Sequence, residues 1–240
     1  MKKYYYDLHI HSCLSPCGSD DNTPNNIAGM ATLCGLQIVA LTDHNTCKNC
    51  PAFFEAAKRY GITPVAGMEL TTAEDIHVVC LFENLKNAMA FDEEIDKRRI
   101  KIKNKTEIFG NQFITDGEDN IIGEDENLLS NATTVSLEEV PCLVEAYGGI
   151  AYPAHIDRSA NGVIEILGTF PETPYFGAVE ISRREKVEEY IKKYSFEDKK
   201  VIISSDAHYL ENIRDKENYF EFNECLSDEE IRKALFETLR

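Results

Sequence analysis

All six histidines of this 240-residue chain stand where a run of apolar residues begins or ends, and this constrains the fold more than any other feature. Asp7-Leu8-His9-Ile10-His11 closes the run that starts at Tyr4. Residues two apart in a strand project from one face, so His9 and His11 can reach a single point, as paired metal ligands do. The other four lie in Thr42-Asp43-His44, Asp75-Ile76-His77, Tyr152-Pro153-Ala154-His155 and Ser205-Asp206-Ala207-His208. No histidine is left over for an ordinary surface or core position.

The spacing of apolar residues predicts strands over 4–10, 37–42, 62–68, 77–82, 150–152, 176–181 and 201–205. Helices are expected over 23–34, 51–60, 136–147, 184–194 and 227–239, the first announced by a Thr23-Pro24 cap and the second stopped by Gly61. Ser136 and Glu139 have capping-box spacing. Alternation of helices with about seven strands points to an α/β barrel forming one domain over 1–240. In such a barrel, residues at the carboxyl ends of the strands converge on one mouth. His77 falls at the start of its strand, so that strand runs antiparallel or its preceding loop carries His77 back to the mouth. An insertion at about 85–129 reads as a helix to about residue 108 followed by a hairpin around Asp116-Gly117. Its Lys97, Arg98, Arg99, Lys101, Lys103 and Lys105 read as a solvated face.

With 25 basic against 42 acidic residues the net charge is −17, which argues against nucleic acid as the main substrate and suits carboxylates gathered around cations. Eight cysteines, no apolar leader at the first residues and no run long enough to span a bilayer predict a reducing cytoplasm, free thiols and no membrane partner. Cys47-Lys48-Asn49-Cys50 has the spacing of half a zinc knuckle or a redox pair. Cys13 and Cys17 are the residues able to complete it, but no second pair at ribbon spacing follows and ordinary thiols are the expectation.

The mouth of the barrel would collect His9, His11, His44, Glu69, His155, Asp206 and His208, with His77 from its loop. Nitrogen and carboxylate donors in this mixture suit zinc, manganese or iron better than calcium or magnesium. There are more donors than one ion can use. This set resembles the PHP family, named for polymerase and histidinol phosphatase, through Asp7-Leu8-His9-Ile10-His11, Thr42-Asp43-His44, Pro153-Ala154-His155 and Ser205-Asp206-Ala207-His208 in order. The resemblance covers nearly the whole chain. It implies a distorted seven-stranded β/α barrel, the helix-plus-hairpin segment being an insertion, and a cluster of two to three divalent transition-metal ions. By matching motif, His9, His11, Glu69 and Asp206 hold one ion, Glu69 bridges to a second held by His77 and His155, and His44 and His208 hold a third. Relatives place an Asp or His shortly after the first motif. Here Ser15-Pro16-Cys17-Gly18-Ser19 comes before Asp20 and Asp21, and Asp20, with Asp21 as the alternative, is the expected third-site ligand. Asp7 and Asp43, each beside ligating histidines, are expected to orient the rings without touching metal.

The implied activity is hydrolysis of a small phosphorylated metabolite or nucleotide by metal-bound hydroxide, attacking phosphorus in line. Arg158, three residues beyond His155, is expected to take up charge on the substrate oxygens, ahead of Arg183. His208 or Asp20 is the expected acid for the leaving oxygen. Other readings are a histidinol-phosphate phosphatase, a DNA-end exonuclease or proofreading domain, and a non-catalytic metal-binding module.

Overall fold

β1 (Lys2–Ile10) is buried along its last five residues, and this end of the strand delivers His9 into the interior. The structure, a computed structural model, describes residues 1–224 and 226–240. After β1 a loop of tight turns leads into α1 (Pro24–Leu33), where Thr23 accepts a hydrogen bond from Asn26 N. β2 (Ile38–Leu41), α2 (Cys50–Tyr60) and β3 (Thr63–Thr71) follow, with α2 ending on Gly61 at φ 67°, a left-handed turn that glycine adopts without strain. β4 (His77–Phe82) then runs back antiparallel to β3, pairing Thr71 with His77, so the strand start that carries His77 lies beside the end of β3.

The insertion consists of α3 (Leu85–Arg98), the single turn α4 (Thr106–Phe109) and the hairpin β5 (Phe113–Thr115) with β6 (Ile121–Glu124). Next come α5 (Val140–Ala146), β7 (Gly149–Pro153), α6 (Val163–Leu167), β8 (Ala178–Glu180), α7 (Val187–Tyr194), β9 (Lys200–Ile202), β10 (Tyr219–Phe222) and α8 (Asp228–Leu239). The capping box opening α8 is complete in Ser227 and Glu230. The one at Ser136 is not: Glu139 bonds back to Ser136, but the pair closes a turn and the helix starts only at Val140.

The strands form a mixed sheet of six in the order β10-β1-β2-β3-β4-β7, with β1, β2 and β3 parallel, and a separate parallel pair, β8 and β9. A single seven-stranded ladder is therefore not what forms. β8 and β9 have only three residues each and, with the segment after β9, reach the large sheet through scattered bonds rather than a ladder, among them Ile156 N to Glu180 O at 2.9 Å and His11 N to Ala207 O at 2.9 Å. β10 is an edge strand that the apolar pattern did not announce. It is held antiparallel to β1 by aromatic stacking, Tyr6 on Phe220 with ring centroids 4.5 Å apart.

Both faces of the sheet are covered, which is why its strands read as continuous apolar runs. Val39, Leu41, Ala66, Met68 and Val78 pack toward Ile27, Phe53 and Phe91 of the helices, while Ile38, Ala40, Val65, Val79 and Leu81 pack with Leu235 and Phe236 of α8. Among the described residues no helix is long and apolar enough to cross a membrane.

α3 stops about ten residues short of its expected end. Arg99 turns extended (φ −67°, ψ 137°) and buries its guanidinium against Asp125, with both carboxylate oxygens at 3.1 Å. Lys97 and Arg98 pair with Glu94, and Lys101 with Asp96. The basic run is thus not one helical face: Arg99 is buried against Asp125, while Lys97, Lys101, Lys103 and Lys105 stay exposed to solvent on and beyond the end of α3. The hairpin that follows docks on the body of the protein: Phe113 N donates to Cys13 O at 3.0 Å and Thr115 N to Asn49 Oδ1 at 3.0 Å.

Candidate metal centre

Glu69, near the end of β3 and 1% exposed, is the hub. Its backbone N–H donates to Thr42 O and Asp43 O, which fixes it beside the end of β2 and His44. Oε1 lies 2.8 Å from His77 Nδ1, 2.9 Å from His155 Nε2 and 3.3 Å from His9 Nε2; Oε2 lies 3.0 Å from His44 Nδ1 and 3.3 Å from His11 Nε2. Asp206 approaches from the opposite side, with Oδ1 3.0 Å from His11 Nε2 and 3.3 Å from His9 Nε2. Asp206 (φ 50°) and His155 (φ 28°) both have left-handed backbones, a local strain of about 1–3 kcal/mol each that turns their side chains into the cluster.

The tautomers of the first two rings follow from their outer partners. Ser15 Oγ donates its only hydrogen to Asp43 Oδ1 at 2.7 Å, so toward His11 Nδ1, 3.0 Å away, it can only accept. His9 Nδ1 likewise donates to the Glu180 carboxylate, at 3.0 and 3.1 Å. Both neutral rings then carry a lone pair on Nε2, and these two atoms lie 3.2 Å apart between two carboxylates. Four acceptors aimed at one point, with Asp206 Oδ1 buried and lacking a hydrogen-bond donor, are satisfied by a cation. The donor set therefore fits divalent metal.

Without ions the same contacts take up protons. Burial alone would pull His11 down, yet Asp206 and Glu69 hold it up at about 9; His44, buried and beside His11, is also held up at about 9, by Glu69 and Cys17. Burial and then the positive charge of His11 push His208 down to about 3. A metal entering at neutral pH displaces protons from groups whose pKa lies above the solution pH, so affinity is expected to rise with pH up to about 9. Calorimetric titration in buffers of different ionisation enthalpy reads the released protons; heats independent of the buffer would refute the expectation.

Three sets of side chains have donor atoms close enough for one ion: His9, His11, Glu69 and Asp206; His44, Glu69 and His77; and His11, His44 and His208. His155 joins through Glu69 Oε1. Asp20 does not join. Ser19 N is bonded to His208 O and Asn22 N to Ser19 O, which turns the chain outward, and the exposed Asp20 carboxylate accepts from Asn111 instead. Asp21 is exposed as well. His208 donates from Nδ1 to Asp206 O at 2.9 Å, so a ring that is neutral at pH 7 has no proton on Nε2 to give a leaving group. Arg158 lies at the rim, its guanidinium on Asp206 Oδ2, and lines a cavity of about 130 Å³ with His44, His77, His155 and His208. Arg183 binds Asp157 away from the cluster. Asp7 supports the backbone of His9 and Ser205 rather than a ring, whereas Asp43 orients His11 through Ser15.

Cys47 and Cys50 are buried and give their thiol hydrogens to Gly67 O; among the described residues none of the three ligand sets contains a cysteine. Glu180 and Ser15, which hold the rings of His9 and His11, were not anticipated from the sequence. Glu180 has the same signature as Glu69, an acid at the end of an apolar strand, and that signal was available.

The PHP domain model matches residues 7–228. An uncharacterized protein of Methanocaldococcus jannaschii is 32% identical over 100 residues, which cover 38% of this chain and 58% of that one. The lesion-specific endonuclease PfuEndoQ of Pyrococcus furiosus has the same fold (TM-score 0.68, 19% identity) over 98% of this chain and 56% of its own. A Bifidobacterium adolescentis protein provisionally described as a metal-dependent phosphoesterase superposes with TM-score 0.59 at 18% identity, covering 85% of this chain and 88% of its own. The chain thus spans little more than half the length of the first two.

The charge-based argument against nucleic acid does not stand. An Endonuclease Q complex of the same fold (TM-score 0.65, 19% identity, 98% of this chain and 56% of that one) holds a 27-mer duplex with an abasic lesion at its active site. Net charge was the wrong measure, because it sums charges over the whole chain, including acids of the cluster such as Glu69 and Asp206, whereas binding depends on the charge of the one face that meets the substrate.

Proposed function

We propose, on the premise that the chain belongs to the PHP family of metal-dependent hydrolases, that its cluster holds two to three zinc, manganese or iron ions and hydrolyses a small phosphorylated metabolite or nucleotide. The observation that carries this reading is the pair of Nε2 lone pairs 3.2 Å apart between Glu69 and Asp206, an arrangement that hydrogen bonding leaves unsatisfied. Ions bound there supply Lewis acidity to phosphoryl oxygens and lower the pKa of water. The chain's own residues fix the geometry. Glu69 keeps five imidazoles within reach of one carboxylate. Glu180 and the Asp43–Ser15 relay set the tautomers of His9 and His11. Arg158, with its side chain 41% exposed, presents its remaining N–H groups at the rim, where they can grip a phosphate oxygen while Asp206 holds the guanidinium in place.

A cavity of about 130 Å³ over the cluster suits a phosphate group and little more, so the rest of the substrate lies outside it. Elemental analysis is expected to find two to three transition-metal ions per chain. Phosphate release should be measured over sugar phosphates, mononucleotides and histidinol phosphate, beside cleavage of duplex DNA with an abasic site, at low and physiological salt. Turnover of a small ester supports the reading. Efficient cleavage of the duplex with no small ester turned over would replace it with a nuclease, and one metal or none would remove its basis.

A further inference from the structure

We propose that Cys17 is a metal ligand, its thiolate completing the His11, His44 and His208 set in the place where the expected carboxylate is missing. The inference rests on the metal-centre reading above. Two of the three ligand sets contain an acid, Glu69 or Asp206 with Glu69, while the third consists of three imidazoles and no acid. A divalent ion there lacks an anionic partner of its own. Asp20 and Asp21 are exposed and Asp20 is bonded to Asn111. Cys17 is exposed too, but its Sγ lies 3.3 Å from His44 Nε2, on the side of that ring opposite the Nδ1 atom that meets Glu69.

The other described thiols with a hydrogen-bond partner behave differently. Cys13, Cys34, Cys47, Cys50 and Cys80 donate to backbone carbonyls, whereas Cys17 faces a ring nitrogen.

The loop is built to hold the thiol there. Gly18 N bonds Ser15 O at 2.9 Å and Ser19 N bonds His208 O at 2.9 Å, so the residues after Cys17 are tied both to the start of the loop and to the backbone of a histidine in the set. A Cβ on Gly18 would stand 2.7 Å from Ser12 O, so this close turn requires glycine. The insertion braces the same loop from outside, since a Cβ on Gly110 would meet Pro16 O at 2.5 Å. Three imidazoles and a thiolate form a donor set suited to zinc, and sulfur at this position favours zinc over manganese for the third ion.

The test uses the full chain loaded with cobalt(II), whose bond to a thiolate produces a near-ultraviolet charge-transfer band that nitrogen and oxygen ligands do not. The wild type is expected to show this band. Cys17→Ser should lose the band and one equivalent of cobalt, and Cys17→Asp should lose the band. Cys142→Ser, at an exposed thiol outside the cluster, should retain it. Thermal unfolding of the metal-free variants checks that the fold is kept. Cobalt-loaded wild type without the band, or Cys17→Ser with the band and the full cobalt complement, would overturn the assignment of Cys17 and leave the rest of the centre standing. A wild type that takes up no cobalt would overturn both the assignment and the metal-centre reading.

Discussion

Glu69→Gln is expected to lower phosphoesterase activity by on the order of 10³-fold or more and to remove at least one metal ion per chain, because this one carboxylate belongs to two of the three ligand sets. Glutamine has nearly the same volume and keeps one carbonyl oxygen, so the buried site stays filled. Its amide nitrogen, however, presents hydrogens where an oxygen now faces either His9, His77 and His155 or His11 and His44. An ion and an N–H group cannot share that position.

The fold should feel the change as well. Burial opposes ionisation of Glu69, but the electrostatic pull of His77, His9 and His44 outweighs it and holds the carboxyl well below its usual range in the metal-free protein. A depressed carboxylate stabilises the fold at pH values above its ordinary pKa, and this stabilisation is lost as pH falls toward the folded value. The wild-type margin over Glu69→Gln in metal-free melting temperature should therefore be present at neutral pH and shrink on acidification. Activity, metal content and melting curves of the two proteins decide the matter. A variant with wild-type turnover and metal content would place the centre elsewhere.

The candidate ligands that the sequence made most legible are those whose position follows from a strand alone. His9 and His11 lie two apart on β1, and His77 at the start of β4 needed only an antiparallel strand to meet the ends of its neighbours, which the Thr71–His77 pairing supplies. What stayed illegible depends on contacts between distant segments. Arg99 ends α3 because Asp125, 26 residues on, accepts its guanidinium, and no local propensity encodes that. β10 has only four residues, and its alternating aromatics gain meaning only once Tyr4 and Tyr6 lie opposite. Asp20 looked like a ligand by order along the chain, but the bond from Ser19 N to His208 O turns the loop so that Cys17 faces the cluster instead.

Glu180 ends an apolar strand as Glu69 does, and Glu180→Gln is expected to weaken metal binding about 10–100-fold without unfolding the protein. The buried carboxylate accepts from His9 Nδ1 through both oxygens, at 3.0 and 3.1 Å, and from His155 N at 3.0 Å, joining two site residues that lie far apart in sequence. Its negative charge raises the basicity of the His9 ring and keeps the proton on Nδ1, which leaves the Nε2 lone pair aimed at Glu69 and Asp206. A neutral amide weakens the first effect. If its nitrogen faces the ring it also reverses the second, because Nδ1 must then accept and the proton moves to Nε2. Glu180→Ala goes further, leaving the His9 Nδ1 and His155 N donors buried without partners at a loss of about 1–3 kcal/mol of stability for each. Competition against a chelating dye measures affinity, and melting of the metal-free variants measures stability. Loss of affinity in Glu180→Gln at unchanged metal-free stability identifies a positioning residue. Equal metal affinity in wild type and Glu180→Gln would reduce Glu180 to a structural link between β8 and the turn after β7.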